Sequence, residues 1–237
     1  MANAVDLVTV GQAKSWIPGF ANNPAPDETL QTLITGVSRL IVRLTGSRID
    51  NNPNSPTYKA SSLNSQIVFT DRLDGNGSDV LFLNNRPVRN IVSLLVSGYA
   101  PPINVAYGQL GVFIENSGYS VAFSGGNSSG SNTTVGWPAY GATGRFPMGR
   151  GNILISYLAG FGQPVEDSNP VEYTAPEDLQ VACMETIALN YTRRDRVGLD
   201  SENISGESST TYAKYEIPPD AALVIRTYTR VPLGSQA

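Results

Sequence analysis

The chain has 237 residues, 16 basic and 20 acidic side chains and a formal charge of -4. Hydrophobic residues make up 41% and charged residues 15%, a globular composition that excludes a disordered chain and argues against a global affinity for nucleic acid. The absence of histidine and the single cysteine, Cys183, exclude a disulfide within the chain, a thiolate metal cluster and the commonest general base.

The opening "MANAVDLVTV" has neither a basic n-region nor a long apolar run, so it does not read as a signal peptide. No stretch reaches the roughly 18 apolar residues of a membrane span. Both features set the expectation of a protein made in a cytoplasm without membrane contact. In "TVGQAKSWIPG", Thr9 is the expected N-cap and Pro18-Gly19 the stop of a helix of about two or three turns.

"APDETLQTLITGVSRLIVRLTGS" carries the strongest period in the chain. Leu30, Leu33, Ile34, Val37, Leu40, Ile41 and Leu44 fall on an arc of about 120° at helical spacing. Arg39 and Arg43 lie off that arc, Asp27 and Glu28 suit the positive end of the helix dipole, and Gly46 closes the helix. The expected element is an amphipathic helix with one buried face.

From about Tyr58 to Gly162 the pattern turns to strands. "SQIVFTDRLDGNGSDVLFL" reads as strand, tight turn, strand, with Asp74-Gly75-Asn76-Gly77 as the hairpin turn. "RNIVSLLVSG", "GVFIENSGYSVAFSGG" and "GNILISYLAGFG" are further strand candidates. The intervening "SGGNSSGSNTTVGWPAYGATGRFPMGRG" has no helical period and reads as long exposed loops with Trp137, Tyr140 and Phe146 among glycines.

Helices return in "APEDLQVACMETIALNYTRRD", where Pro176-Glu177-Asp178 suits a first turn and Leu179, Ala182, Cys183, Ile187 and Tyr191 form an apolar stripe. A polar segment follows, and "PPDAALVIRTYTRVP" reads as a last helix of about three turns. The expected fold class is therefore α+β: a small α-helical bundle built from both ends of the chain, with a β-rich insert domain. The divisions are 1–57 for the N-terminal helices, 58–170 for the insert with its Gly-rich loops, and 171–237 for the third helix, polar arm and C-terminal helix.

No motif supplies chemistry. "DGNGSD" offers Asp74, Asn76 and Asp79 as oxygen ligands, but the glycine spacing and the missing glutamate do not fit a calcium loop. Cys183 sits on the apolar face of its helix and reads as core. No metal, cofactor or catalytic residue is expected. The loop aromatics Trp137, Tyr140 and Phe146 suit exposed contacts, although only Arg145 and Arg150 stand near them for nucleic-acid stacking.

The sharpest feature is "YTRRDRVGLDSENISGES". Arg193, Arg194 and Arg196 suit the negative end of a helix dipole. The dipole does not account for the polar arm of about 20 residues that follows, of a type that orders against a partner.

The order of these motifs resembles the head–tail connector proteins of tailed bacteriophages, also called neck adaptors or head-completion proteins. Three stretches carry the resemblance: "VTVGQAKSWI" with "DETLQTLITGVSRLIVRLTGS"; "LDGNGSDVLFLNNRPVRNIVSLLVSG"; and "APEDLQVACMETIALNYTRRDRVGLDSENISGES". Together they cover somewhat over half the chain. The loops from Gly108 to Gly151 depart from the compact members and have no counterpart there.

The resemblance implies a non-enzymatic virion protein of the phage neck. It forms a homo-oligomeric ring, usually of twelve copies, beneath the portal protein. That ring extends the DNA channel and docks the next neck, stopper or tail protein. DNA would pass without sequence-specific binding. Under this expectation Arg193, Arg194, Arg196 and Glu207 make subunit or portal contacts, the arm from Leu199 to Ile217 lies across a neighbour or the portal, and a helix from Ala221 to Thr229 with Arg226 and Arg230 docks on the portal. Arg39 and Arg43 would mark the ring-packing helix. Two other classes compete: a carbohydrate- or receptor-binding β-module using Trp137 and Tyr140, and a hydrolase whose acid/base pair is not evident.

Overall fold

A computed structural model describes residues 3–18, 20, 26–107, 109–124, 144–166, 168, 172–194, 201–204, 208–211 and 217–229. Its described residues form a mixed α/β fold with four α-helices and several antiparallel sheets. They divide into two compact units, one of residues up to 65 and from 162 onward, the other of residues 66–161.

The first unit holds the helices. Helix α1 (Val10–Trp16) starts on a capping box, in which Thr9 Oγ1 accepts from the Gln12 amide and Gln12 Oε1 accepts from the Thr9 amide. This satisfies two of the amides that a helix start leaves without partners. Helix α2 (Asp27–Leu44) ends on Thr45, and Gly46 follows with φ 64°, a left-handed turn that suits glycine. Leu30, Ile34, Val37, Ser38, Ile41 and Val42 are its buried residues. Leu33 and Leu40 are half-buried and Leu44 is 46% exposed, so the buried face is rotated from the expected one toward Ser38 and Val42. Ser38 explains the rotation: its hydroxyl accepts from the Leu7 amide, 3.1 Å away, and lies 4.0 Å from Cys183 Sγ. A buried polar group is tolerated when it has such partners.

Helix α3 (Glu177–Arg193) packs against α1, α2 and helix α4 (Pro219–Thr227). Leu179, Ala182, Cys183, Thr186, Ile187 and Tyr191 are its buried residues, the expected stripe with Thr186 added. Thr186 is satisfied by donating to Ala182 O. Full burial of each Leu or Ile contributes about 1.5–3 kcal/mol, so α3, touching all three other helices, is the centre of this unit. The N-terminal segment is tied to α2 through Asp6, whose carboxylate accepts from Gln31 Nε2 at 2.6 Å and Thr35 Oγ1 at 2.9 Å. Just after α2 in the chain, the buried Asp50 carboxylate accepts from the Asn52 amide and from Thr57 Oγ1. Burial raises its pKa, but hydrogen bonds from Ser55, Thr57 and Asn52 outweigh that and hold it below the ordinary carboxylate value.

The second unit holds β1 (Ile67–Gly75), β2 (Val80–Phe82), β3 (Val88–Val96), β4 (Gly111–Glu115), β5 (Ser120–Ser124) and β6 (Gly149–Ala159). They form two three-stranded antiparallel sheets, ordered β1-β6-β3 and β2-β5-β4. On β6, Ile153, Ile155, Tyr157 and Ala159 are fully buried while Leu154, between them, is 42% exposed, the period-2 alternation of a half-buried strand. Those four residues join Leu81, Val112, Val121 and Phe123 in one core.

The expected hairpin from Asp74 to Gly77 is corrected. β1 pairs with β6 and β2 pairs with β5, so the turn carries the chain from one sheet to the other instead of reversing it. The turn chemistry itself is present: Asn76 Oδ1 accepts from the Ser78 amide and Gly77 has φ 75°. Gly75 lets the Pro147 backbone approach closely, because a Cβ there would collide with Pro147 O.

Three short ladders complete the description. β4 and β5, both within one strand candidate of the sequence, form a hairpin. In the first unit β7 (Gln163–Pro164) pairs with β8 (Tyr173–Thr174). Within the polar arm, β9 (Ser201–Ile204) pairs antiparallel with β10 (Ser208–Thr211), matching Ser201 with Thr211 and Ile204 with Ser208.

Candidate interaction surfaces

The end of α3 is a ladder of cations and rings. Tyr191 is 7% exposed and meets Phe20 at 5.6 Å between centroids. The Arg194 guanidinium lies 4.3 Å from the Tyr191 centroid, and Lys14 Nζ lies 5.8 Å from that of Phe20. Lys14 also bridges to Asp27 Oδ1 at 2.7 Å, which links α1 to the first turn of α2. Each such cation–ring contact contributes about 0.5–1 kcal/mol when exposed. Arg194 thus lies over its own chain's ring, with its flat guanidinium held in one orientation. Arg193 is half-buried. Arg196, Glu207 and Arg230 lie outside the described residues.

Arg39 and Arg43 are exposed on α2. Leu33, Leu40 and Leu44 recur at i, i+7 and i+11 on the flank between those arginines and the buried face. That strip of leucines is only partly covered.

The start of α4 is Pro219, earlier than expected, and its end is Thr227. Ala221 and Ile225 are buried, while Leu223 is 61% exposed and Arg226 is exposed. Just after the helix, Tyr228 Oη donates to Asp178 Oδ1 at 2.7 Å and closes α4 onto the first turn of α3. Burial, then that bond and the charge of Asp178, push the phenol pKa up.

In the β unit, Phe146 is fully buried, edge-on to Phe123 at 5.6 Å and 86°. It is therefore a core residue and not the exposed loop contact expected from its glycine-rich surroundings. Trp137 and Tyr140 lie outside the described residues. A cleft of about 600 Å³ is lined by Arg89, Asn104, Tyr107, Phe113 and Glu115 among others. Tyr107 is 88% exposed and stands edge-on to Phe113 at 5.6 Å. Arg89 Nε donates to Gly160 O, and Asn104 gives its side chain to the Ile91 backbone.

Several chains of solved structures are similar, among them two from gene transfer agent particles. One is a chain from the neck of an empty gene transfer agent particle computed with C6 symmetry; it has 16% identity and a TM-score of 0.47, covering 98% of this chain and 94% of that one. The other, from the virion of the native gene transfer agent particle, has 16% identity and a TM-score of 0.46 over the same shares. No family model and no curated protein matches the chain. No group of three or more His, Cys, Asp or Glu able to hold a metal occurs among the described residues, and no helix among them is long and apolar enough to cross a membrane.

Three features escaped the sequence reading. The β9–β10 hairpin had only a weak signal, since its strands are mostly serine and threonine. The Tyr191–Arg194 contact is legible as an i, i+3 pair, but Phe20 is distant in sequence. The third is a polar network inside the β unit. Tyr157 Oη, fully buried, donates to Asp71 Oδ2 and accepts from the amide and side chain of Asn85, each at 3.1 Å.

Proposed function

We propose that the chain is the structural head–tail connector of a tailed phage or phage-like particle. Copies form a ring, of twelve by the family resemblance, beneath the portal. The ring extends the DNA channel and presents a surface to the next neck, stopper or tail protein. The virion neck is then its site of action and the host cytoplasm its site of synthesis. The observation that carries this reading is the join at the end of α3. A helix whose last turn packs Tyr191 on Phe20 and carries Arg194 over the Tyr191 ring runs into an arm whose two strands pair only with each other among the described residues. An isolated two-stranded hairpin is marginal in water, so an arm of this kind gains most of its order from another chain. The leucine strip Leu33, Leu40 and Leu44 beside Arg39 and Arg43 gives α2 a second surface for a neighbour.

In this reading Arg193, Arg194, Arg196 and Glu207 make subunit or portal contacts, and α4 with Arg226 and Arg230 docks on the portal. Replacing Arg193 and Arg196 by Glu is expected to weaken capture by immobilised portal assemblies by about tenfold or more. Capture equal to that of the unaltered chain would remove the arginines from the interface.

The cleft beside Tyr107 and Phe113 favours a second reading, binding of carbohydrate by the β unit. An exposed ring with Arg and Glu nearby suits a sugar's apolar face and hydroxyls. Retention on a glycan array that is lost in Tyr107→Ala, without portal capture, would favour it.

A further inference from the structure

We infer that β10 of one copy adds as a fourth strand to the β1 edge of the next copy, so that the ring is closed by a sheet running between subunits. This rests on the connector reading and names the surface that the arm meets.

The argument starts from the sheet edges. An uncovered edge presents a row of amides and carbonyls that templates pairing with another chain, and proteins blunt such edges with short strands, bulges or covering groups. The edges of the β unit other than β1 are blunted. β2 is only three residues long. β4 is pinned from outside by a bridge between Ile103 and Val112, with the Val112 amide donating to Pro102 O. β3 carries two register shifts, and Asn104 occupies both the amide and the carbonyl of Ile91, as a neighbouring strand would.

β1 is different. It runs for nine residues with a single register shift near its end, between Leu73 and Gly75, lies at the end of the order β1-β6-β3 and pairs only with β6 among the described residues. Its charged side chains do not guard it, because they serve their own sheet. Asp71 accepts from Tyr157, Arg72 Nε donates to Gly151 O at 2.8 Å, and Asp74 accepts from the Gly151 amide.

The donor is equally specific. β10 reads Ser-Ser-Thr-Thr, without a charge, and pairs on one side with β9. Hydroxyl and β-branched residues suit a strand whose affinity comes from main-chain hydrogen bonds. Residues 195–200 and 212–216 tether the hairpin to α3 and toward α4; tethers of that length reach at most about 20 Å, which excludes any copy beyond an adjacent one. A donor hairpin and an acceptor edge are different patches of one surface, which makes the contact heterologous, the type that closes rings.

Amide exchange tests this on the full chain, free and bound to portal assemblies, with a variant whose residues 201–211 are replaced by a Gly-Ser segment of equal length. Among residues 67–75, the alternate amides that point away from β6 are expected to slow by about tenfold or more where β10 covers them in the portal-bound ring, and to return to the free rate in the variant. A ring that forms on the portal with β1 amides unchanged overturns the inference and leaves the connector reading standing. Protection that persists in the variant, or is already complete in the free chain, also overturns it, because another segment then fills the edge. If no ring forms on the portal, the connector reading fails and takes this inference with it.

Discussion

Tyr157 concentrates the demands that burial places on a single residue. Its phenol is held by Asp71 and Asn85 inside an apolar core, and its pKa is pushed up by burial, then by the bond to Asp71. Tyr157→Phe is expected to lower stability by about 1–3 kcal/mol, the cost of leaving buried polar partners unmatched, as read by chemical denaturation. Asp50 gives a pH signature. Its folded pKa lies below its unfolded one, so its contribution is present above about pH 4 and lost as the pH falls through the folded value. The acid destabilisation of Asp50→Asn is therefore expected to be shallower than that of the unaltered chain, which thermal melts from pH 6 to pH 2.5 would resolve. Cys183 is fully buried with its thiol pKa pushed up to about 12 by burial, so it should label with iodoacetamide only after unfolding. Rapid native labelling would contradict its place in the core.

At the level of elements, α1 was legible from its Thr9 cap and Pro18-Gly19 stop, and α2 and α3 from apolar residues recurring at helical spacing behind acidic first turns. The α2 face was misjudged toward Leu44 because Ser38, polar in sequence, is drawn inside by the Leu7 amide. The strands of the β unit were legible one by one, but their partners were not. Ile67 pairs with Ala159 and Val88 pairs with the same residue, a pairing across almost the whole unit that no local pattern encodes. The Asp-Gly-Asn-Gly turn illustrates the point: its chemistry specifies a tight bend, and only distant pairing decides whether the bend closes a hairpin. Phe146 was misplaced for the same reason, since its partner Phe123 lies on another strand. The exposed flank of α2 yields a prediction at this scale. Leu44→Asp, at a residue 46% exposed, should leave folding within about 0.5 kcal/mol while abolishing ring formation on the portal. Rings unchanged in number and size would free α2 of any role in subunit packing.

The whole molecule combines a helical unit, a β unit and a paired arm with a net charge of -4. The proposed connector role would ask for surfaces for neighbours on both sides of each subunit and no strong grip on DNA. A strongly basic channel would retain phosphate through counterion release, whereas under that proposal a net-negative ring would let the duplex slide. Among the candidate residues, Arg39, Arg43, Arg193 and Arg194 are visible in the sequence as cations on helices. Their surroundings are not: Arg194 lies over the ring of Tyr191, whose other neighbour, Phe20, is far away in sequence. The central claim is best tested by electron microscopy of the purified chain mixed with portal assemblies from the same particle. The account predicts a closed ring of added density on the narrow end of the portal, coaxial with its channel. Bare portals beside free protein, at concentrations well above those of assembly, would contradict it.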